Sequence, residues 1–170
     1  MVKRGFGIEL ELKIIKIEKE KEDQVIIGQG NFSIYTTDNI FRELLTTVPV
    51  IKCAISMNEA DPKLVRFNQN DEQLGKVAAK NALAIGASHV FVIITRGAYP
   101  VNILPTIRNV PGVCNIYVAS ANPLEVIIAE TALGRAVLGV VDGQSVNAIE
   151  DEEKRQARRD LVKKIGYVLG

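Results

Sequence analysis

A short run near the middle of the chain constrains the fold most, because residues 89–95, HVFVIIT, are apolar on both faces after the first position. A strand of this kind is typical of the centre of a sheet that is covered on two sides. It follows residues 71–85, where apolar side chains recur at helical spacing, and Gly86 then stands where a left-handed residue ends a helix. The pattern predicts layers of helix and sheet around a buried central strand.

The remaining apolar segments predict alternating strands and helices without an internal repeat or linker. Strands are expected at 7–14, 24–32, 50–57, 64–67, 114–120, 125–131 and 135–143. The first two strands are expected to form a hairpin across the charged loop 18–23, and 114–120 is expected to be buried. Further helices are expected at about 36–49, 100–110 and 150–165. We therefore expect an α+β or α/β fold, a single layered domain over residues 1–170 with a mixed β-sheet flanked by helices.

The balance of charge excludes some classes of partner. The 170 residues include 21 Lys and Arg against 20 Asp and Glu, so the formal charge is +1 at pH 7. A nucleic-acid or anionic-membrane surface requires a clear basic excess, and no segment approaches the roughly 18 apolar residues of a spanning helix. We expect a cytoplasmic protein with no nucleic-acid or membrane partner.

Two cysteines and one histidine leave little scope for a metal. Cys53 and Cys114 each lie in an apolar run, and both are expected to be buried free thiols. Because one His and two distant Cys cannot form a typical tetrahedral site, structural zinc is excluded and no protein metal site is expected.

Polar residues collect at the ends of the predicted strands, where loops on a rigid sheet present side chains to a ligand. Amide, carboxylate and guanidinium groups in such positions suit a ligand that forms hydrogen bonds and carries a few charges, such as a nucleoside or nucleotide. The candidates are Gln29, Asn31, Glu59, Arg66, Asn70, Asp71, His89, Asn102, Asn122, Glu130, Thr131, Arg135 and Asp142.

Several candidates also have a structural interpretation. Asp71 is a good helix cap, while Asn122 and Asp142 stand in turn dipeptides before Pro and Gly. His89 is either a satisfied core residue or a group that bonds a ligand or accepts a proton, since imidazole titrates near neutrality. These alternatives stay open at the level of sequence.

The two arginines need an anionic partner, because each lies in or beside a short apolar strand. For Arg66 and Arg135 that partner is either a carboxylate, Glu59 or Glu130, or a phosphate. The common nucleotide motifs do not decide the question, since GxxxxGK[ST] is absent and residues 28–33, GQGNFS, carry only two glycines of GxGxxG.

Five stretches together resemble the adenosine-specific kinase family of archaea and thermophiles. They are GQGNF (28–32), EADPKLVRFNQND (59–71), GASHVFVI (86–93), YPVNIL (99–104) and VCNIYVASANPLEVIIAETALGRAVLGVVDG (113–143). The resemblance implies a small single-domain α+β protein that binds adenosine or AMP and transfers a phosphoryl group to it from a nucleoside triphosphate, with ATP and Mg²⁺ as cofactors. This chain departs from the family pattern at Asp61-Pro62 and Gln69, in a loop beside the expected site.

If the protein is a kinase, phosphoryl transfer needs a proton acceptor, charge neutralisation and groups that position the ligand, and we assign these roles to the candidates as a hypothesis. Asp71 or Asp142 would accept the hydroxyl proton or bind metal, with Glu130 as the other carboxylate. His89 would orient the nucleoside or accept a proton. Arg66 and Arg135 would contact phosphate, Asn31, Asn102 and Asn122 would bind base and ribose, and Gln29, Glu59, Asn70 and Thr131 would complete the ligand site.

Other interpretations remain beside the kinase. The same side chains would serve a protein that binds or senses adenylate without turnover, and related sequences are labelled AMP/protein transferases. The polar strand ends would also serve a structural oligomer in which they pair across subunits. The resemblance further implies a homo-oligomer, a trimer or a hexamer.

Overall fold

The computed structural model describes residues 10–32 and 34–167. The α+β class is confirmed, since strands and helices both occur and the described strands pair antiparallel, although helices do separate several of them along the chain. In chain order the elements are β1 (Glu11–Lys16), β2 (Gln24–Gly30), α1 (Thr37–Thr47), β3 (Lys52–Asn58), β4 (Val65–Gln69), α2 (Glu72–Ile85), β5 (Val90–Arg96), α3 (Pro100–Arg108), β6 (Val113–Ser120), β7 (Leu124–Glu130), β8 (Arg135–Asp142) and α4 (Glu152–Lys164).

The strands form two sheets, and every described pairing is antiparallel. The larger sheet has the order β4-β3-β5-β2-β6, and the smaller has the order β1-β7-β8. The sequence predicted one sheet of mixed direction. The structure has two sheets because β7 and β8 pair with each other, and β7 also pairs with β1, instead of extending the larger sheet.

The predicted hairpin between the first two strands is wrong. β1 pairs with β7, where Ile14 lies opposite Ile127 and Ile15 opposite Val126. This pairing packs Ile15 against a core cluster that contains Val126. The charged loop does not form a tight turn between partners; it is anchored by Asp23, whose carboxylate accepts hydrogen bonds from the Glu20 amide and the Arg96 side chain. Residues 7–9 of the predicted first strand lie outside the described residues.

The central strand of the larger sheet is β5, as the sequence predicted, and it is covered on both faces. Val90, Val92 and Ile94 pack in a cluster that includes the apolar side of α2. Phe91 and Ile93 pack on the other face in a cluster with residues of α1 and α3. Both clusters consist mainly of fully buried aliphatic side chains, so the domain has a core on each side of this sheet.

The helix boundaries follow local signals. Thr36 caps α1, and its backbone N–H in turn donates to the side chain of Asn39. Asp71 caps α2, which ends at Gly86 in the left-handed conformation with φ of +64°. The helix predicted at 100–110 is α3, and the helix predicted at 150–165 is α4, although no residue of α4 is buried.

The prediction for the strand at 114–120 is wrong in its burial. The observed β6 lies at one edge of the larger sheet, and its residues are mostly half-buried or exposed. Cys114 is therefore exposed, contrary to expectation, while Cys53 is buried, and both thiols are free. Among the described residues, no helix is long and apolar enough to cross a membrane.

Candidate functional site

Antiparallel pairing gathers the predicted site residues at two opposite ends of the larger sheet. Gln29 near the end of β2 lies opposite Val90 at the start of β5, and Asn58 at the end of β3 lies opposite Val65 at the start of β4. We call this the His89 end. Across the seven residues of β5 the other end, which we call the Asp71 end, lies about 20 Å away.

Eight of the thirteen candidates belong to the His89 end. Glu59, Arg66, His89, Gln29 and Asn31 come directly from the strand ends that meet there. The β7–β8 turn is attached to the same region, because Arg135 Nη1 donates to the Ala84 carbonyl, 3.2 Å away, in the last turn of α2. The turn adds Glu130, Thr131 and Arg135.

The other five candidates lie at the Asp71 end. They are Asn70, Asp71, Asn102, Asn122 and Asp142, which follow β4, β5 and β6 or end β8. The structure thus brings the candidates into two groups within one chain and does not bring all thirteen together.

His89 has an unusual backbone conformation that two strands hold in place. Its φ is +62°, a region that few residues other than glycine adopt. Its N–H donates to Asn58 O at 2.8 Å, and its carbonyl accepts from the Gly30 N–H at 3.0 Å. The imidazole is half-buried and forms no hydrogen bond or ion pair within residues 10–32 and 34–167. The side chain is therefore fixed at its base and chemically available at its tip.

Gln29 lies beside His89 and has a polar partner that the sequence did not reveal. The hydroxyl of Tyr117 donates to Gln29 Oε1 at 2.6 Å, and Gln29 Nε2 faces the Ser88 carbonyl at 3.5 Å. Partial burial raises the pKa of the Tyr117 phenol above its usual value, so it remains a donor at neutral pH. The sequence around Tyr117 indicates only an apolar strand, because its partner Gln29 lies 88 residues away.

The pair of Glu59 and Arg66 is loosely held. Arg66 Nε lies 3.5 Å from Glu59 Oε1, and the Arg66 side chain is 53% exposed. An ion pair of this length and exposure contributes little to stability. Glu59 is thus the carboxylate partner that the sequence predicts for Arg66. Because the ion pair is weak, its exchange for a phosphate would cost little free energy.

The Arg135 guanidinium is held more firmly. Its Nε donates to Glu130 Oε2 at 2.8 Å, and Lys13 Nζ lies 2.8 Å from the same oxygen. The hydrogen bond from Lys13, followed by that from Arg135, holds the pKa of Glu130 below its usual value. The hydroxyl oxygen of Thr131 accepts from the Leu133 and Gly134 amides, 3.3 and 3.4 Å away, and so stabilises the turn.

A groove beside β6 adjoins the His89 end. Its volume is about 260 Å³, and Asn115, one of its lining residues, lies opposite Gln29 in the sheet. Asn31, one residue beyond β2, is exposed, and its backbone N–H donates to the Gly112 carbonyl. The groove is lined by Arg108, Val113, Cys114, Asn115 and Ile116.

At the Asp71 end the candidate side chains are engaged in local structure. Asp71 Oδ1 accepts from the amides of Gln73 and Leu74, and its other oxygen lies 3.3 Å from Lys52 Nζ. The Leu74 amide is the largest of the influences that hold the pKa of Asp71 below its usual value. Asn70 accepts from the Cys53 amide and donates to the Ile51 carbonyl, which ties the end of β4 to the start of β3.

The remaining candidates of this end have similar structural partners. Asn102 Oδ1 accepts from the Tyr99 amide at the start of α3, 3.0 Å away. Asp142 Oδ1 accepts from the hydroxyl of Ser120 at 2.6 Å and from Nδ2 of Asn122 at 3.0 Å. These bonds join the ends of β6 and β8, and they support the cap and turn interpretations that the sequence left open.

The sequence missed one buried charge pair near this end. Asp23 is 1% exposed, and its carboxylate lies 2.9 Å from Arg96 Nε at the end of β5. The hydrogen bond to Asp23 is the main reason that the pKa of Arg96 is raised. No local signal could have found the pair, because the run 18–23 reads as an exposed mixed-charge loop.

Among the described residues, the carboxylates of the His89 end are too few to form a metal centre by themselves. Within the described part of the chain, no three or more His, Cys, Asp or Glu side chains gather as a metal site. Mg²⁺ usually needs only one or two carboxylates when phosphates and water complete its shell. Glu59 is the more available carboxylate, since Glu130 is held by two cations.

Comparisons with known proteins identify the family. The chain belongs to the adenosine-specific kinase family, because the family model described as adenosine specific kinase matches residues 15–168. It is also similar to the PH1918 protein of Pyrococcus horikoshii OT3, whose crystal structure matches with a TM-score of 0.91 and 56% sequence identity. That match covers 95% of this chain and 100% of the other. Comparison with the curated proteins gives no match.

Proposed function

We propose that the protein transfers a phosphoryl group from a nucleoside triphosphate to adenosine, and that the ligand site lies at the His89 end. Membership of a family named for adenosine-specific kinases is the observation that carries the activity. The location is supported by the contrast between the two ends. The His89 imidazole and the exposed Arg66 are available there, whereas the candidate side chains of the Asp71 end already have structural partners.

His89 is the proposed proton acceptor. A ribose hydroxyl attacks the terminal phosphorus of the donor, the new O–P bond forms, and the bond to the departing nucleoside diphosphate breaks. The hydroxyl proton passes to the imidazole, which is the commonest acceptor for such a step. Two backbone hydrogen bonds fix the position of His89, which limits where its ring can lie. This lowers the entropic cost of placing the imidazole against the ribose hydroxyl.

Arg66 is the proposed phosphate contact, because its long ion pair with Glu59 is easily exchanged for a phosphate. Arg135 would contact a phosphate through the part of its guanidinium that neither Glu130 nor α2 occupies. The cofactors would be ATP and Mg²⁺. The metal ion would neutralise charge on the transferred group, and Glu59 would hold it from the protein side.

The direct test is to incubate the pure protein with Mg-ATP and adenosine and to separate the nucleotides by chromatography. AMP and ADP should form in equal amounts, and the His89→Asn variant should lose activity by about 10²- to 10⁴-fold. Asn is the suitable replacement because it tolerates positive φ. If neither turnover nor adenosine binding is found, the proposal is wrong.

Binding without turnover is the second candidate function. The observation that favours it is the position of Asp71 and Asp142, which lie at the far end of the sheet from His89 and carry structural hydrogen bonds. Glu59 and Glu130, the candidate carboxylates at the His89 end, are both paired with an arginine, so neither is a free base beside His89. Tight AMP binding by calorimetry, with no product in the kinase assay, would support an adenylate-binding protein. An AMP/protein transferase would instead attach AMP to a protein, and incubation with a radioactive adenine nucleotide would then give a labelled protein.

The proposal includes self-association of a cytoplasmic protein into a trimer or hexamer. Leu12, Ile14 and Leu138 of the smaller sheet are more than half exposed, and α4 buries none of its residues. Light scattering would give the number of chains in solution. If the protein is a monomer at micromolar concentration and retains activity, this part of the proposal fails independently of the kinase assay.

A further inference from the structure

The hydrogen bond between Tyr117 and Gln29 gives the His89 end a fixed pattern of donors and acceptors. Gln29 stands between the Tyr117 hydroxyl, 2.6 Å from Oε1, and the Ser88 carbonyl, 3.5 Å from Nε2. A carbonyl oxygen can only accept, so the amino side of the carboxamide must face Ser88. The oxygen of Gln29 must then face Tyr117, and the phenol must donate to it.

The surroundings favour one of the two orientations of the Gln29 carboxamide. The Ser88 carbonyl belongs to a turn held by two backbone bonds, from the His89 amide to Asn58 O at 2.8 Å and from the Val90 amide to Ala87 O at 3.3 Å. If the carboxamide rotated by half a turn, two carbonyl oxygens would face each other. That orientation would replace the contact between Nε2 and the Ser88 carbonyl with repulsion between two acceptors, so the observed orientation is favoured.

Two groups remain to contact a ligand. The first is the second hydrogen of Gln29 Nε2, which is a donor and has no partner among the described residues. The second is the pair of lone electron pairs on Tyr117 Oη, which are acceptors because the phenolic hydrogen is used by Gln29. The edge of the site therefore presents one donor beside one acceptor.

We propose that Tyr117 is a positioning residue that fixes Gln29 so that the site accepts adenine and rejects hypoxanthine. Adenine presents an unprotonated ring nitrogen next to an amino group, which is an acceptor beside a donor and complements this edge. Hypoxanthine presents a protonated ring nitrogen next to a carbonyl oxygen, which is the reverse. This inference rests on the proposed function, because it assumes that the nucleoside binds at the His89 end.

The test compares adenosine with inosine, which carry these two bases, by calorimetry on the wild type and on Tyr117→Phe. The wild type should bind adenosine about tenfold or more tightly than inosine, because inosine leaves two polar groups mismatched. Tyr117→Phe should weaken adenosine binding by several-fold and leave inosine binding nearly unchanged, so the preference should fall. A purely structural role for the phenol would weaken both ligands equally.

Tyr167→Phe is the matched control, since Tyr167 is 42% exposed in the C-terminal segment and should keep the wild-type preference. Gln29→Ala is a second variant that should also lose the preference. It provides the test if Tyr117→Phe does not fold. If the wild type binds neither nucleoside, the proposed function and this inference both fail. If the wild type binds adenosine but Tyr117→Phe or Gln29→Ala retains the full preference, only the inference fails.

Discussion

The two ends of the five-stranded sheet carry the same kinds of polar residue but use them differently. At the Asp71 end, Asp71 caps a helix and Asp142 joins two strand ends through Ser120 and Asn122. At the His89 end the imidazole of His89 has no protein partner among the described residues, and the nearby Arg66 is mostly exposed. Polar residues at strand ends are therefore a sign of function only where local structure leaves them unused.

The largest expected difference between the ends is in activity. His89→Asn should lower kcat/KM for adenosine by about 10²-fold or more, while the melting temperature changes little because Asn accepts the same backbone conformation. The matched change at the other end is Asp71→Asn, which keeps a capping side chain and should keep most of the activity. Steady-state kinetics would measure both. A large loss in Asp71→Asn with none in His89→Asn would reverse the assignment of the two ends.

Thiol reactivity should separate the two ends next. Cys53, next to Asn70 at the Asp71 end, is fully buried, and burial raises its pKa to about 11. Cys114 at the start of β6 is exposed. Because the reactive species is the thiolate, Cys53 should react roughly 100-fold more slowly, or slower still, than Cys114.

Labelling with an aromatic disulfide at pH 8 would follow the two phases. Cys114→Ser should remove the fast phase, and denaturant should merge the slow phase with the fast one. Two fast thiols in the folded wild type would contradict the packing of the Asp71 end.

The cap at Asp71 should have a smaller effect, which appears in stability. Asp71→Ala removes the acceptor of the Gln73 and Leu74 amides and should lower the free energy of unfolding by about 1 kcal/mol. Asp71→Asn is the control, since it keeps the cap and removes only the ion pair with the 58% exposed Lys52, which contributes little. Urea unfolding would measure both variants. Equal losses in the two would assign the stability to the ion pair instead.

Local signals explain why part of the fold could be predicted from the sequence. Asp71 and Gly86 mark the limits of α2 through capping and left-handed geometry, and both act within a few residues of their position. The apolar run of β5 likewise carries its own burial pattern. The partner of β1 has no such signal. β1 pairs with β7, which is distant in sequence, and the two strands carry no complementary charges at Glu11 and Glu130, which lie opposite each other.

The same limit applies to the candidate site. The residue types at the strand ends could be found, and the structure groups them by end. Their partners could not, since Tyr117 reaches Gln29 across 88 residues and Lys13 reaches Glu130 across 117. Those long-range contacts decide which side chains are occupied. The sequence therefore predicts the candidates for a ligand site but not which of them remain free to bind.

The smallest expected effect concerns Glu130, the most firmly held carboxylate of the His89 end. Its hydrogen bond with Lys13, more than that with Arg135, holds its pKa below the usual 4.5. A depressed folded-state pKa contributes stability above the unfolded value, and that stability is lost as pH falls through the folded value. Glu130→Gln should therefore melt slightly below the wild type at pH 7, and the difference should shrink as the pH falls below about 4.5.

Glu125→Gln is the matched control on the same strand, because Glu125 is exposed and forms no ion pair within the described chain. Calorimetric scans from pH 7 to pH 3 would measure the three proteins. A difference between Glu130→Gln and wild type that stays constant over this range would mean that the carboxylate charge does not stabilise the β7–β8 turn. In that case the ion pair between Glu130 and Arg135 is weak, and Arg135 would be as available as Arg66 to bind a phosphate.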